Sequence, residues 1–324
     1  MATAEQIKTL IKSHFSDDVE RFATTALQLA AHEANQGHGT LAHEIRDIVD
    51  KAKAERRRGV LLKFPQELHG LVLSEIPRTP IASLVLAENL RKRIQRIVHE
   101  YRQQHKLKTH GLSNRRKILL IGPPGTGKTM TACVLAHELR TPLYTIQVDK
   151  LVTKFMGETA AKLREIFDLI QRVQGVYLFD EFDAIGGERS LDNDVGEMRR
   201  VLNSFLQFID TDTSDSLIIA TTNSPKLLDK ALYRRFDDVL YYNLPDDSDK
   251  TRLIENIAGS FLSTKVEWKK VIKEAAGLSH SEIDLACRDA IKQAVLSDLQ
   301  TVDTFLLTQM LRERRATYQT LSER

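Results

Sequence analysis

The sequence predicts an α/β fold: a parallel sheet sandwiched by helices, followed by a small all-helical lid and preceded by a short helical domain. Three observations predict it. First, four short runs rich in Ile, Leu and Val, "KILLIG", "LYTIQV", "VYLFD" and "SLIIATT", alternate with helical stretches from residue 117 onward. That is the pattern of strands covered by helices on both faces. Second, the strands stop beyond about residue 246. "SDKTRLIENIAGSF", "VEWKKVIKEAAG", "SEIDLACRDAIKQAVLSDL" and "VDTFLLTQMLRERRATYQ" all carry apolar residues at helical spacing. Third, the same spacing runs through residues 1–60, broken at "NQGHGT".

In chain order, residues 1–60 form the helical N-terminal domain, with charges nearly balanced. Arg56, Arg57 and Arg58 end it as a solvated helix terminus or as a nucleic-acid contact. Residues 61–80 are expected as a linker, with Pro65, Pro77 and Pro80 in a stretch of no clear period. The large α/β unit takes residues 81–245. It starts with a strongly basic helix, "ENLRKRIQRIVHEYRQQHKLK", which is either a solvated face or a partner for acidic loops across a subunit contact. Residues 246–324 form the small helical unit and its C-terminal helix.

Composition excludes several classes. The chain has 324 residues, 42% of them hydrophobic and 28% charged, enough for two or three compact units. A formal net charge of +3 gives no argument for a nucleic-acid or membrane partner. Cys133 and Cys287 lie far apart, without metal-ligand spacing or a disulfide framework, as fits a reducing compartment. There is no run of eighteen apolar residues, and residues 1–5 lack the basic start of a secretion signal. A cytoplasmic location is expected.

"KILLIGPPGTGKTMTACVLAHEL" reads as strand, glycine loop, helix. Gly122-x-x-x-x-Gly127-Lys128-Thr129 fits the phosphate-loop pattern of P-loop NTPases, with the required strand before it and helix after it. Glycine lets backbone amides curl around phosphate oxygens, and the helix dipole points at the same charge. The nucleotide set is Gly122, Pro123, Pro124, Gly125, Thr126, Gly127, Lys128, Thr129 and Met130. Lys128 should reach the β- and γ-phosphates of ATP, and Thr129 should ligate Mg²⁺. "VYLFDE" then supplies the metal-side carboxylate. Asp180 closes a buried strand at its C-terminal end, where open α/β sheets bind ligands. Asp180 should hold the Mg²⁺ shell, and Glu181 should polarise the attacking water. "SLIIATTN" ends on Asn223, an amide suited to sensing the γ-phosphate or orienting that water.

Together these motifs resemble the AAA family of ATPases, in the branch with one ATPase module per chain. The ordered series is "GPPGTGKT", "LVTKFMGETAAKLREIF", "YLFDEFDAIGGER", "ATTN", "LLDKALYRRFDD" and "AAGLSHSEIDLACRDA", covering about residues 80–315. The first 75 residues look like the short helical domain of small bacterial-type members. The resemblance implies a homohexameric ring that binds ATP between subunits and pulls protein substrates through a pore. It implies that Arg234 and Arg235 reach into the neighbouring subunit's site. A guanidinium there neutralises charge on the transferred phosphoryl group, worth about 10³–10⁵ in rate in GTPase systems. The other reading of the pair is a surface salt bridge to Asp237 or Asp238.

The resemblance also implies a pore loop at Lys154, Phe155 and Met156. An aromatic and a thioether grip extended chain by apolar area, with little regard to sequence. The alternative is that Phe155 packs into its own subunit. A second pore-facing loop is expected around residues 188–194. Three departures stand out. "FIDTDTSDS" keeps Asp210 of the subunit-signalling stretch but not the Gly-Phe that follows it in the family. Ser279-His280-Ser281-Glu282 replaces Ser-Gly-Ala-Asp, leaving His280 and Ser281 near the nucleotide without the close backbone approach of glycine. The first 75 residues match none of the large substrate-recruiting domains of the better-known members. No His-Glu-x-x-His or Gly-x-Ser-x-Gly occurs, so any proteolysis needs a separate protein, and the resemblance to small bacterial members implies a serine peptidase for that part. Two competing readings remain: an ATP-dependent assembly switch or scaffold without threading, and a DNA-acting ATPase resting on the basic helix alone.

Overall fold

The computed structural model describes residues 8–9, 12–13, 19–57, 68, 70–154, 158–182, 194–224 and 233–322. The chain divides into two compact units, Met1–Lys63 and Phe64–Arg324. In the first, helices α1 (Val19–Asn35) and α2 (Gly39–Arg57) pack around buried Ala26 and Val49, with Leu27 and Ile45 half-buried beside them.

The second unit opens with β1 (Val72–Glu75), a strand inside the span expected as linker. It pairs antiparallel with β3 (Leu143–Ile146), Val72 opposite Ile146. The remaining strands are β2 (Lys117–Ile121), β4 (Val176–Phe179), β5 (Leu217–Thr222) and β6 (Asp238–Tyr241). The sheet order is β1-β3-β4-β5-β2-β6, and every pair except β1·β3 is parallel. The four strands expected from the apolar runs are β2 to β5. The two edge strands give weaker sequence signals because an edge strand is buried less completely and reads as a weaker apolar run.

Successive strand residues face opposite sides of the sheet, and the core divides accordingly. Leu119, Ile121, Tyr177 and Phe179 face one layer; Ile118, Leu120, Val176 and Leu178 face the other. The first layer is covered by α6 (Val148–Lys154), α7 (Thr159–Arg172) and α8 (Asp194–Thr211), through Leu151, Leu163, Ile166, Phe167, Phe205 and Ile209. The second is covered by α3 (Glu88–Arg102) and α5 (Lys128–Leu139), through Ile94, Ile97, Val134 and Leu135. A short helix, α4 (Gln104–Thr109), follows α3.

Helices α9 (Asp247–Ala258), α10 (Trp268–Glu274), α11 (His280–Leu296) and α12 (Thr304–Ser322) close around a third core of Ile254, Val271, Ile283, Cys287 and Leu311. Val85 joins that core, while Leu84 and Leu86 on either side of it join the α3–α5 layer. This alternating tripeptide anchors the helical part to the sheet part. Among the described residues, no helix is long and apolar enough to cross a membrane.

Part of the basic stretch is engaged within its own chain. Arg93 pairs with Asp238, Arg102 with Glu138 at 3.0 Å, and Arg115 beyond it with Glu100. Lys108 pairs with Asp215 at 2.7 Å. Near the start of β2, Arg116 pairs with Asp212, whose side chain is fully buried just past α8. Removing Arg116 leaves that carboxylate without its cation. Arg116→Met is expected to destabilise the protein by about 3 kcal/mol or more, measured by urea unfolding. Lys108→Met breaks an exposed pair and should cost less than about 1 kcal/mol in the same assay.

Candidate nucleotide site

The glycine loop leaves β2 at Gly122, where the backbone presses on the end of β6. A Cβ there would lie 2.3 Å from the Tyr242 carbonyl oxygen. Gly125 and Gly127 have φ of +72° and +93°, in the left-handed region that favours glycine. Gly127 is the N-cap of α5. Thr126, fully buried, donates its hydroxyl to Pro123 O at 2.7 Å and tightens the loop. Pro124 lies at the exposed crest, and Met130 is about one-third exposed on α5.

Lys128 is buried. Its Nζ donates to Gly122 O, Pro123 O and Asn223 Oδ1, each at 2.8 Å. Beside it, Thr129 Oγ1 donates to Asp180 Oδ2 at 3.0 Å. Asp180 Oδ1 accepts from Thr221 Oγ1 at 2.6 Å, and the Glu181 backbone N–H donates to that same Thr221 oxygen at 2.9 Å. Glu181 is exposed and has φ of +50°, a strained value for a residue with a Cβ. Phe182 then dives into the core against Phe205, ring centroids 4.2 Å apart. The acidic turn is thus held at both ends.

The N-terminus of α11 leans on the loop. Ser281 N donates to Gly125 O at 3.0 Å. A Cβ on Gly125 would sit 2.2 Å from Ser281 Oγ and 2.6 Å from Ser279 Oγ. Ser279 and Glu282 form a reciprocal capping box that fixes this end. Both ring nitrogens of His280 are buried without a hydrogen-bond partner. Burial holds its pKa below the ordinary imidazole value, against an opposing pull from Asp249.

The arginine pair lies elsewhere. Arg234 is exposed, and Arg235 pairs with Asp210 near the end of α8. The alternative partners are engaged by other groups. Asp237 accepts the Arg116 and Lys117 backbone amides at 2.9 Å each, and Asp238 pairs with Arg93. Phe155, Met156 and residues 188–193 lie outside the described residues, as does the side chain of Lys154, which ends α6. The expected residues Lys128, Asn223, Thr129, Asp180, Gly125 and Ser281 come together. Ser279, the first residue of the Ser-His-Ser-Glu element, joins them, as do Thr221 and Tyr242, to which the sequence alone assigns no role. Of the last two, Thr221 has a signal in the sequence: it lies two residues before Asn223, on the same strand face.

The donor chemistry fits a nucleotide with a small hard cation. Curled amides and a buried ammonium suit phosphate oxygens. A hydroxyl and a carboxylate 3.0 Å apart suit Mg²⁺, which takes few protein ligands and completes its shell with phosphate and water. Among the described residues, no group of three His, Cys, Asp or Glu side chains forms an all-protein metal cage.

Fold and loop together define a P-loop nucleoside triphosphatase. Residues 118–244 match the model of the ATPase family associated with various cellular activities (AAA). An uncharacterized AAA family ATPase, y4kL of Sinorhizobium fredii, is 32% identical over 303 residues, covering 91% of this chain and 90% of that protein. A putative 26S proteasome regulatory subunit homolog of Methanothermobacter thermautotrophicus is 32% identical over 62% of this chain and 55% of its own length. ATP-dependent zinc metalloprotease FtsH 1 of Methylacidiphilum infernorum is 29% identical over 69% of this chain and 36% of its own length. The crystal structure of the FIGL-1 AAA domain superposes with a TM-score of 0.62 at 21% identity, covering 81% of this chain and 96% of that one. That likeness speaks for the fold. The chain belongs to the AAA family of ATPases and is an ATP hydrolase.

Gly125→Ala forces a Cβ into the Ser279 and Ser281 hydroxyls at a left-handed φ. ATP affinity measured by calorimetry should fall by about tenfold or more. Gly39→Ala, at a position with open space, should leave it unchanged.

Proposed function

We propose that this ATPase works as a homohexameric ring that couples ATP hydrolysis at subunit interfaces to unfolding, translocation or remodelling of a protein substrate through a central pore. The observation that carries this reading is a divided catalytic set. Lys128, Thr129, Asp180 and Asn223 meet around one loop, while exposed Arg234 lies on a separate segment whose Arg235 is tied to Asp210. Relatives named as a proteasome regulatory subunit homolog and an ATP-dependent protease support a protein substrate.

In this reading the loop amides of residues 122–127 and Lys128 hold the phosphates. Thr129 and Asp180 would hold Mg²⁺, which would supply positive charge against the phosphates. Glu181 accepts a proton from water as its oxygen attacks the γ-phosphorus and the bond to the β–γ bridging oxygen breaks. Asn223 orients that water. Arg234 and Arg235 of the neighbouring subunit neutralise charge on the phosphoryl group, so hydrolysis waits on assembly. His280 and Ser281 line the nucleotide from α11. Phe155 and Met156 grip the substrate, with Lys154 steering acidic stretches. The helices of residues 1–60 choose the substrate or dock a partner, and any peptide-bond cleavage is left to a separate serine peptidase.

A second reading, an ATP-dependent assembly switch without threading, draws on one observation. Asp212, where the family has the Phe of its signalling stretch, is buried against Arg116 in its own subunit. Particle mass and Phe155→Ala separate the two. Glu181→Gln should bind ATP without turnover and form a hexamer with ATP that is lost with ADP. A monomer or dimer with both nucleotides would sink the ring. Phe155→Ala should retain ATPase activity and assembly but lose substrate remodelling; intact remodelling would sink the threading step.

A further inference from the structure

Thr221 closes the site from behind. It sits near the C-terminal end of β5, 1% exposed. A hydroxyl has one proton to give and lone pairs to accept with. Thr221 gives its proton to Asp180 Oδ1 and accepts the backbone N–H of Glu181. Its orientation is therefore determined from both sides. With Oδ1 engaged, Asp180 presents Oδ2 toward Thr129. With its amide held, Glu181 keeps its left-handed backbone, and that backbone sets where its exposed carboxylate points. Thr222, the next residue, does something else: its hydroxyl accepts from Ser224 N at 3.1 Å.

We propose that Thr221 is a positioning residue for hydrolysis, holding Asp180 and Glu181 in register with each other and with Thr129. The proposal rests on the assignment of those two carboxylates given above. It goes further in naming a single hydroxyl, on a neighbouring strand, as the group that couples the metal-side acid to the water-side acid. One acceptor, Asp180 Oδ1, and one donor, the Glu181 N–H, lose their partner if it is removed, yet the strand keeps its shape if a β-branched side chain remains.

The test compares Thr221→Val, which keeps the shape and loses the hydroxyl, with Thr221→Ser, which keeps the hydroxyl. Glu181→Gln serves as the reference. The readouts are kcat, ATP affinity by calorimetry with Mg²⁺ present, and melting temperature. Thr221→Val should lower kcat by about 10- to 100-fold, with ATP affinity and melting temperature close to wild type. Thr221→Ser should restore kcat to within about threefold of wild type. Should Thr221→Val fail to fold, Thr221→Ala reads the same loss without a methyl against Asp180. A wild-type rate in the hydroxyl-free variant, or an equal loss in Thr221→Ser, overturns the proposal. A loss of affinity and melting temperature in step with the rate also overturns it, by making the role structural. If Glu181→Gln hydrolyses ATP at the wild-type rate, the carboxylate assignment itself fails. If Glu181→Gln is inactive and Thr221→Val is not, the positioning proposal alone fails.

Discussion

An ammonium group taken out of water needs oxygen acceptors in its place. Lys128 finds them in the carbonyls of Gly122 and Pro123 and the amide oxygen of Asn223. Those bonds do more than satisfy a charge. They curl the glycine loop back over the start of α5, and they draw the segment after β5 against the loop. Sheet, loop and helix are thereby held around one cation. The glycines at positions 122 and 125 are consequences of that geometry: the loop can curl so tightly only where no Cβ meets Tyr242 or the serines of α11. The same tightness lets Ser281 reach the Gly125 carbonyl, joining the helical part to the phosphate loop.

A second constraint is the parity of the strands. Each buried strand must supply apolar side chains to two layers at once. Tyr177 and Phe179 serve one layer and Val176 and Leu178 the other. Only past the last buried residue is the strand free to carry charge, so Asp180 falls at the C-terminal edge, where ligands bind in open sheets of this kind. β5 obeys the same rule. Its six residues are buried throughout, and its polar ones, Thr221 and Thr222, come last.

Charge is used differently near the other end of β2. Arg116, Asp212, Arg235, Asp210 and Asp237 connect the end of α8, the start of β2 and the segment before β6. The departure at Asp210–Thr211–Asp212 from the family's Asp-Gly-Phe has a local physical meaning here: a carboxylate at residue 212 is drawn inward by Arg116. The arginines of α3 likewise turn toward Asp238 and Glu138, so much of the positive charge that a linear reading assigns to an outward face is answered inside the chain.

The sequence by itself determined the central strands, the phosphate loop and the helical character of both flanking parts. Each of these is written in local periodicity or in glycines at fixed offsets, and such signals need no knowledge of what lies across the fold. It also placed Lys128, Thr129, Asp180 and Asn223, because strand ends and loops announce their polar residues. The edge strand β1 reads as linker in the sequence, since an edge strand shows a weaker apolar run and prolines follow it at residues 77 and 80. Only the tertiary structure decided who meets whom. Thr221 shares a strand face with Asn223, yet its two partners, Asp180 and the Glu181 amide, meet it only when β4 and β5 are laid side by side. The resemblance puts Ser281 near the nucleotide, but its bond to the Gly125 carbonyl and the close approach of Ser279 to the loop exist only once α11 is brought against Gly125. Arg235 and Asp210 stand 25 residues apart in sequence and become an ion pair only when α8 and the segment before β6 pack together. Hydrogen bonds and ion pairs depend on distances of a few ångströms, and between residues far apart in the chain those distances are set by packing.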